Sequence, residues 1–183
     1  MKTLFLKRRH FAAAAALIAF SLALPARAAL NCYLTLTANG AAINGSVTQK
    51  GRENQIMVIA FSHEIQSSEA AKKNVPKIGV VVFRKEVDKS SPLLAAAMFQ
   101  NQAIEGTFKF WSPQNKGVLG TGAEFQHYTI TGKQGRIVSI KTVMENNKNP
   151  DLTRYAEYED VTVRFESVSW TWNDGGITHE EKG

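Results

Sequence analysis

Three histidines beyond residue 28, His63, His127 and His179, are the side chains best suited to proton transfer or metal ligation. None stands at a metal-site or triad-like spacing from a partner. His63 and Glu64 are neighbours on an apparent strand, which sends their side chains to opposite faces. Gly117-Val118-Leu119-Gly120-Thr121-Gly122 is glycine-rich, but no Lys-Ser/Thr follows, so it reads as a hairpin connection and not as a phosphate loop. Asn44-Gly45-Ser46 fits a glycosylation sequon that chance produces as easily as design. Cys32 is the only cysteine, which rules out an internal disulfide and leaves a passive thiol. Trp170 and Trp172 stand two apart and share one strand face. They could form a sugar-stacking platform, or pack the core or a subunit interface beside Val161, Val163, Phe165 and Val168. No residue set for catalysis, a metal or a cofactor emerges, so the chain reads as a non-enzyme.

The elements around these residues are mostly strands. Period-two alternation with β-branched residues marks Tyr33 to Thr37, Gln55 to Gln66, Lys77 to Lys85, Thr107 to Trp111, Phe125 to Thr131, Arg136 to Val143 and Asp160 to Trp172. Asn39-Gly40 and Asn44-Gly45 are turn signals. Closely spaced strands of this kind predict a sandwich or barrel instead of alternating βα units. One segment, Ser90 to Phe99, predicts a helix, with Ser91 as cap, Pro92 where a missing donor costs nothing, and Asn101 as the stop. Two polar stretches, 67–76 and 144–154, predict long loops. No repeat, heptad or linker divides the chain, so residues 29–183 form one domain.

The N-terminus is different in kind. Lys7, Arg8 and Arg9 precede fourteen almost wholly apolar residues, Phe11 to Leu24, and Ala26-Arg27-Ala28 offers a small-x-small cleavage pattern. These three regions predict an export signal over residues 1–28, cut after Ala28. The apolar run is shorter than the roughly 20 residues of a stable membrane span. The paired arginines followed by Phe11 fit a twin-arginine signal as well as the general route. Of 22 basic residues, five lie in this leader and no acidic ones do, leaving 17 against 16. The mature charge is therefore nearly balanced and gives no argument for nucleic acid.

The remainder resembles a known family. Glu159-Asp160-Val161, Trp170-Thr171, Gly175-Gly176-Ile177 and Glu180-Glu181 match the closing segment of the Hcp family, the tube-forming subunits of bacterial type VI secretion systems. Tyr33-Leu34-Thr35-Leu36, Ile43-Asn44-Gly45-Ser46, Ile56 to Ser62, and the run from Val87-Asp88 through Ser91-Pro92 to Leu94 match its earlier elements, as do Tyr128-Thr129-Ile130 and Ile137-Val138-Ser139. Three departures stand out: an insertion at Ala38 to Ala42 that lengthens the first turn, Lys182-Gly183 in place of a terminal aromatic, and the export signal itself.

The resemblance implies a small antiparallel β-barrel with one flanking helix. It further implies a non-catalytic chain without cofactors that forms homohexameric rings able to stack into tubes, with effector cargo and spike or sheath components as partners. The loop 67–76 is the expected ring-to-ring contact, with Ser67, Ser68, Lys72 and Lys73 touching. Asp88, Ser91, Pro92, Trp170, Thr171, Gly175 and Gly176 are its family-motif structural residues. The export signal predicts a periplasmic or secreted protein. A second reading keeps the fold but not the tube, and uses the Trp170/Trp172 face to bind a glycan or a cell-surface partner.

Overall fold

The computed structural model describes residues 30–67, 76–113 and 124–183. The leader, Ser68, Lys72, Lys73 and the glycine-rich stretch 117–122 lie outside them. The expected mainly antiparallel β fold with one flanking helix is present, built from ten strands where sequence periodicity marked seven. They are β1 (Asn31–Ala38), β2 (Ala41–Ile43), β3 (Ile56–Val58), β4 (Ala60–Ser67), β5 (Pro76–Glu86), β6 (Ile104–Pro113), β7 (Glu124–Val143), β8 (Tyr158–Arg164), β9 (Ser167–Trp172) and β10 (Ile177–Lys182), with α1 (Ser91–Phe99) between β5 and β6.

Two of the expected runs divide at corners where the chain passes from one sheet to the other, and β2 and β10 are added as hairpin partners of β1 and β9. The long second strand breaks at Ile59: β3 pairs with β1, whereas β4 pairs with β5. Conversely, two expected strands fuse into the 20-residue β7. Its first half pairs with β9 and its second half with β8, so β7 belongs to both sheets. The bend falls between Gly132 and Gly135, with Gln134 at φ 54°. Phe165, leaving β8, drives its ring into this corner. A Cβ on Gly132 would lie 2.4 Å from Phe165 Cγ, so only glycine admits the aromatic anchor there.

One layer is β2 and β3 side by side on β1, then β6, β7, β9 and β10; the other is β7, β8, β5 and β4. Alternate side chains of both layers meet in the core. Phe108 lies edge-on to Phe61 (4.9 Å) and to Phe83 (5.5 Å), tying the layers together. α1 closes one flank with Leu94 and Ala97, and Asn101 ends it at φ 49°. Among the described residues the barrel is not fully closed, because β4 and β10 each pair on one side only. Ala38 to Ala42 does not lengthen the first turn: Ala38 pairs with Ala41 across a two-residue Asn39-Gly40 loop, the tightest hairpin available.

Candidate functional site

Asp88 to Pro92 belong to a buried charge cluster at the start of α1. In β5, Val81, Phe83 and Lys85 all point inward, and in β8 so do Glu159, Val161 and Val163. Register places Lys85 directly opposite Glu159. The Lys85 ammonium, about 1% exposed, donates to Glu159 Oε1 (2.8 Å), Ser91 Oγ (2.9 Å) and the Glu86 carbonyl (2.7 Å), and lies 2.9 Å from Asp88 Oδ1. The Ser91 hydroxyl donates to Glu159 Oε1 (2.8 Å) and accepts the Asp88 N–H. One cation thus sits between two carboxylates with every donor used, the condition under which buried charge is tolerable. Burial works to raise the Asp88 pKa, but hydrogen bonds from Ser90 and Lys85 outweigh it and hold the carboxyl below its ordinary value.

This cluster corrects the expected cap. Ser91 is the first residue of the helix, Ser90 occupies the cap position, and no side chain caps a first-turn N–H. The Ser91 hydroxyl is diverted into the charge cluster, while Asp88 Oδ1 takes the Ser90 N–H (2.9 Å). Asp88 Oδ2 also accepts the Ser46 N–H (2.9 Å), fixing the loop after β2 to the helix entry. The motif is a clamp, and nothing in it is poised for chemistry. In sequence, Glu159 is marked only within the closing motif and its pairing with Lys85 is not foreseen, although both stand in phase with buried Val and Phe.

The C-terminal motif builds a hairpin. Gly175 (φ 92°) and Gly176 (φ 68°) make the β9–β10 turn in a conformation other residues rarely adopt. Thr171 pairs with Thr178 through their hydroxyls (3.0 Å). The ring of Trp170 is stacked by His63 (5.7 Å) and by His179 (6.0 Å), so two of the histidines that looked unrelated in sequence meet on one indole. Trp172 is about half exposed and edge-on to His127 (5.8 Å). Imidazoles already occupy Trp170, which removes the two-ring sugar platform.

Phe61, His63, Tyr128, Ile130 and Trp170 line a cleft of about 860 Å³ at the open side between β4 and β10, with Lys77, Lys182 and Glu181 among its walls. Elsewhere, Arg52 is held over Trp111 (3.8 Å) and Tyr33 (4.6 Å) while it pairs with Glu124, anchoring the loop before β3. Burial pushes the Cys32 thiol up to about 12, which makes it inert. Ser67 lies exposed at the end of β4, opposite Pro76. Among the described residues no three His, Cys, Asp or Glu side chains converge as a metal set, and no helix is long and apolar enough to cross a membrane.

Two further surfaces carry exposed apolar side chains. Met57, Ile59 and Val87 line a groove of about 750 Å³ with Asn31, Gln49 and Glu86. At the far end of α1, Phe99 is 91% exposed, near exposed Met98.

The comparisons with known proteins agree with this geometry. Residues 33–172 match the family described as "Type VI secretion system effector, Hcp". A "Major exported protein" of Pseudomonas aeruginosa is 30% identical over 140 residues, covering 73% of this chain and 78% of that protein. The structure of an Hcp1 protein from E. coli EAEC 042 is similar with a TM-score of 0.71 at 28% identity, covering 83% of this chain and 98% of that one. The secreted protein Hcp3 of Pseudomonas aeruginosa shares the fold, with a TM-score of 0.66 at 24% identity over 84% of this chain and 98% of its own. The clamp at the helix entry, the glycine-turned C-terminal hairpin and these matches lead to one conclusion: the chain belongs to the Hcp family of type VI secretion proteins, whose work is structural and secretory and not enzymatic.

Proposed function

We propose that this chain forms homohexameric rings that stack into a tube carrying effector cargo, and that it reaches the periplasm or medium after cleavage near Ala28. The observation that carries the ring is the pair of unlike surfaces with exposed apolar side chains. A head-to-tail contact that closes by rotation needs two different, complementary patches on each subunit. The Phe99 end of α1 presents a 91% exposed aromatic ring, and the groove holds exposed Met57, Ile59 and Val87 among polar side chains such as Gln49 and Glu86. Seating the first of these in the second on a neighbouring subunit would cover side chains that a monomer leaves in water. Stacking uses the loop 67–76, with Ser67, Ser68, Lys72 and Lys73 meeting the next ring, and spike or sheath components are the partners of a completed tube. The leader predicts that the mature chain begins at Ala29.

Sedimentation velocity of the mature chain at tens of micromolar, followed by negative-stain microscopy, tests the assembly. Six-subunit rings are expected, and Phe99→Ser should shift them toward monomer without loss of the β-type circular-dichroism spectrum. Monomer alone from the unaltered chain would overturn the ring. N-terminal sequencing in a strain without the contractile machinery tests export, and finding only chains that start at Met1 would reject it.

A further inference from the structure

The cleft between β4 and β10 differs in chemistry from the two surfaces proposed for the ring contact. Its volume of about 860 Å³ lies within the range of small-molecule sites, roughly 300–1,000 Å³. Phe61, Tyr128, Ile130 and Trp170 give it an apolar, largely aromatic wall. Burial pushes the Tyr128 phenol up and holds the His63 imidazole down. Both ring nitrogens of His63 are buried without a hydrogen-bond partner among the described residues.

The remaining polar groups are mostly cationic. Lys77 and Lys182 line the cleft, both exposed, and neither forms a hydrogen bond or ion pair among the described residues. Glu181, the one acid there, is engaged by His179 Nε2 at 3.1 Å. The wall therefore carries two uncommitted ammonium groups against one committed carboxylate.

We propose that this cleft binds a small amphiphilic organic anion, with its aromatic or otherwise apolar body against Phe61, Tyr128 and Ile130 and its carboxylate or sulfonate held by Lys77 and Lys182. The apolar body supplies affinity, and the two lysines supply selectivity for charge. A cation of the same shape meets like charge, and a neutral one forgoes the lysines.

Two probes that differ by a single group test this: 1-anilinonaphthalene-8-sulfonate and its uncharged parent, N-phenyl-1-naphthylamine. Both are titrated into the purified protein and followed by probe emission and by energy transfer from tryptophan. Saturable binding of the sulfonate at one site per chain is expected, about tenfold tighter than the neutral probe, equivalent to ~1.4 kcal/mol. Dodecanoate should displace it, and dodecyltrimethylammonium should not. In the double variant Lys77→Met/Lys182→Met, with an unchanged far-ultraviolet spectrum, the two probes should bind within about twofold of each other because the charge-selective groups are gone. Equal affinities in the unaltered protein, a preference that survives in the double variant, or many weak sites per chain would each overturn the proposal.

Discussion

Two ion pairs sit side by side on the same two strands and occupy opposite faces. Arg84 opposes Asp160, and one residue along Lys85 opposes Glu159. Their closest contacts are alike, 2.7 Å and 2.8 Å. The Arg84 and Asp160 side chains are 38% and 26% exposed, whereas those of Lys85 and Glu159 are 1% and 3% exposed. The outer pair is bidentate, with Arg84 Nε and Nη2 donating to the two Asp160 oxygens, and its guanidinium lies over Tyr158 at 4.0 Å. Good geometry in water still adds little, because solvent screens the charges and two long side chains lose freedom. The inner pair has given up its hydration, so its partners are not optional. Strand pairing set both contacts, and burial set what each is worth.

Breaking the inner pair should have the largest effect. Lys85→Met leaves Glu159 and Asp88 as carboxylates around a missing cation and should cost about 3–5 kcal/mol in urea unfolding, with α1 detaching early. A loss below about 1 kcal/mol would mean that water reaches the cluster. Removing both charges together sharpens the point. Lys85→Met/Glu159→Leu should recover to within about 2 kcal/mol of the parent, since a packed apolar pair replaces a buried ionic one. A double variant as weak as the single would show that Lys85 acts mainly through Asp88 and Ser91.

Acid should separate the faces next. Hydrogen bonding from Arg84 holds the Asp160 carboxyl below its ordinary pKa, and Asp88 is held below its own by Ser90 and Lys85 against the opposing effect of burial. A depressed folded value means stability that is fully present above the ordinary aspartate pKa and is lost as pH falls through the folded value. The melting temperature should therefore be level above about pH 5 and fall below about pH 4. Asp88→Asn should flatten that fall more than Asp160→Asn, because solvent screens the outer carboxyl. Equal flattening would contradict the contrast between the two faces.

The outer pair should show the smallest effect. A double-mutant cycle on Arg84→Ala and Asp160→Ala should return a coupling of about 0.2–1 kcal/mol that shrinks with added salt. A coupling near that of the inner pair would mean that the Tyr158 ring shields this site from solvent.

Much of this was written in local sequence. Alternation of Val81, Phe83 and Lys85, and of Glu159, Val161 and Val163, already places the inner charges on the apolar faces of their strands, because a strand has a period of two. Asn39-Gly40 fixes its hairpin and Gly175-Gly176 its turn because few other residues accept those dihedral angles. Pro92 and Asn101 bound the helix for equally local reasons. The Asp88–Pro92 and Trp170–Gly176 motifs sufficed to suggest the family before any contact was known.

Other features had no local signature. Ile59 divides one apolar run into β3 and β4, and Gly132 to Gly135 bends one strand through two sheets, because the two halves of each run pair with different strands, β1 and β5 or β9 and β8. Ser91 reads as a helix cap until Lys85 and Glu159, brought beside it by the pairing of β5 with β8, claim its hydroxyl. His63 and His179 are 116 positions apart in the numbering and meet only on Trp170, where two sheet edges face each other across the cleft. Residue spacing determined which way each side chain points along its own strand. Only long-range pairing decided what it faces, because contacts between distant segments depend on register and sheet order, and neither is encoded in any single segment.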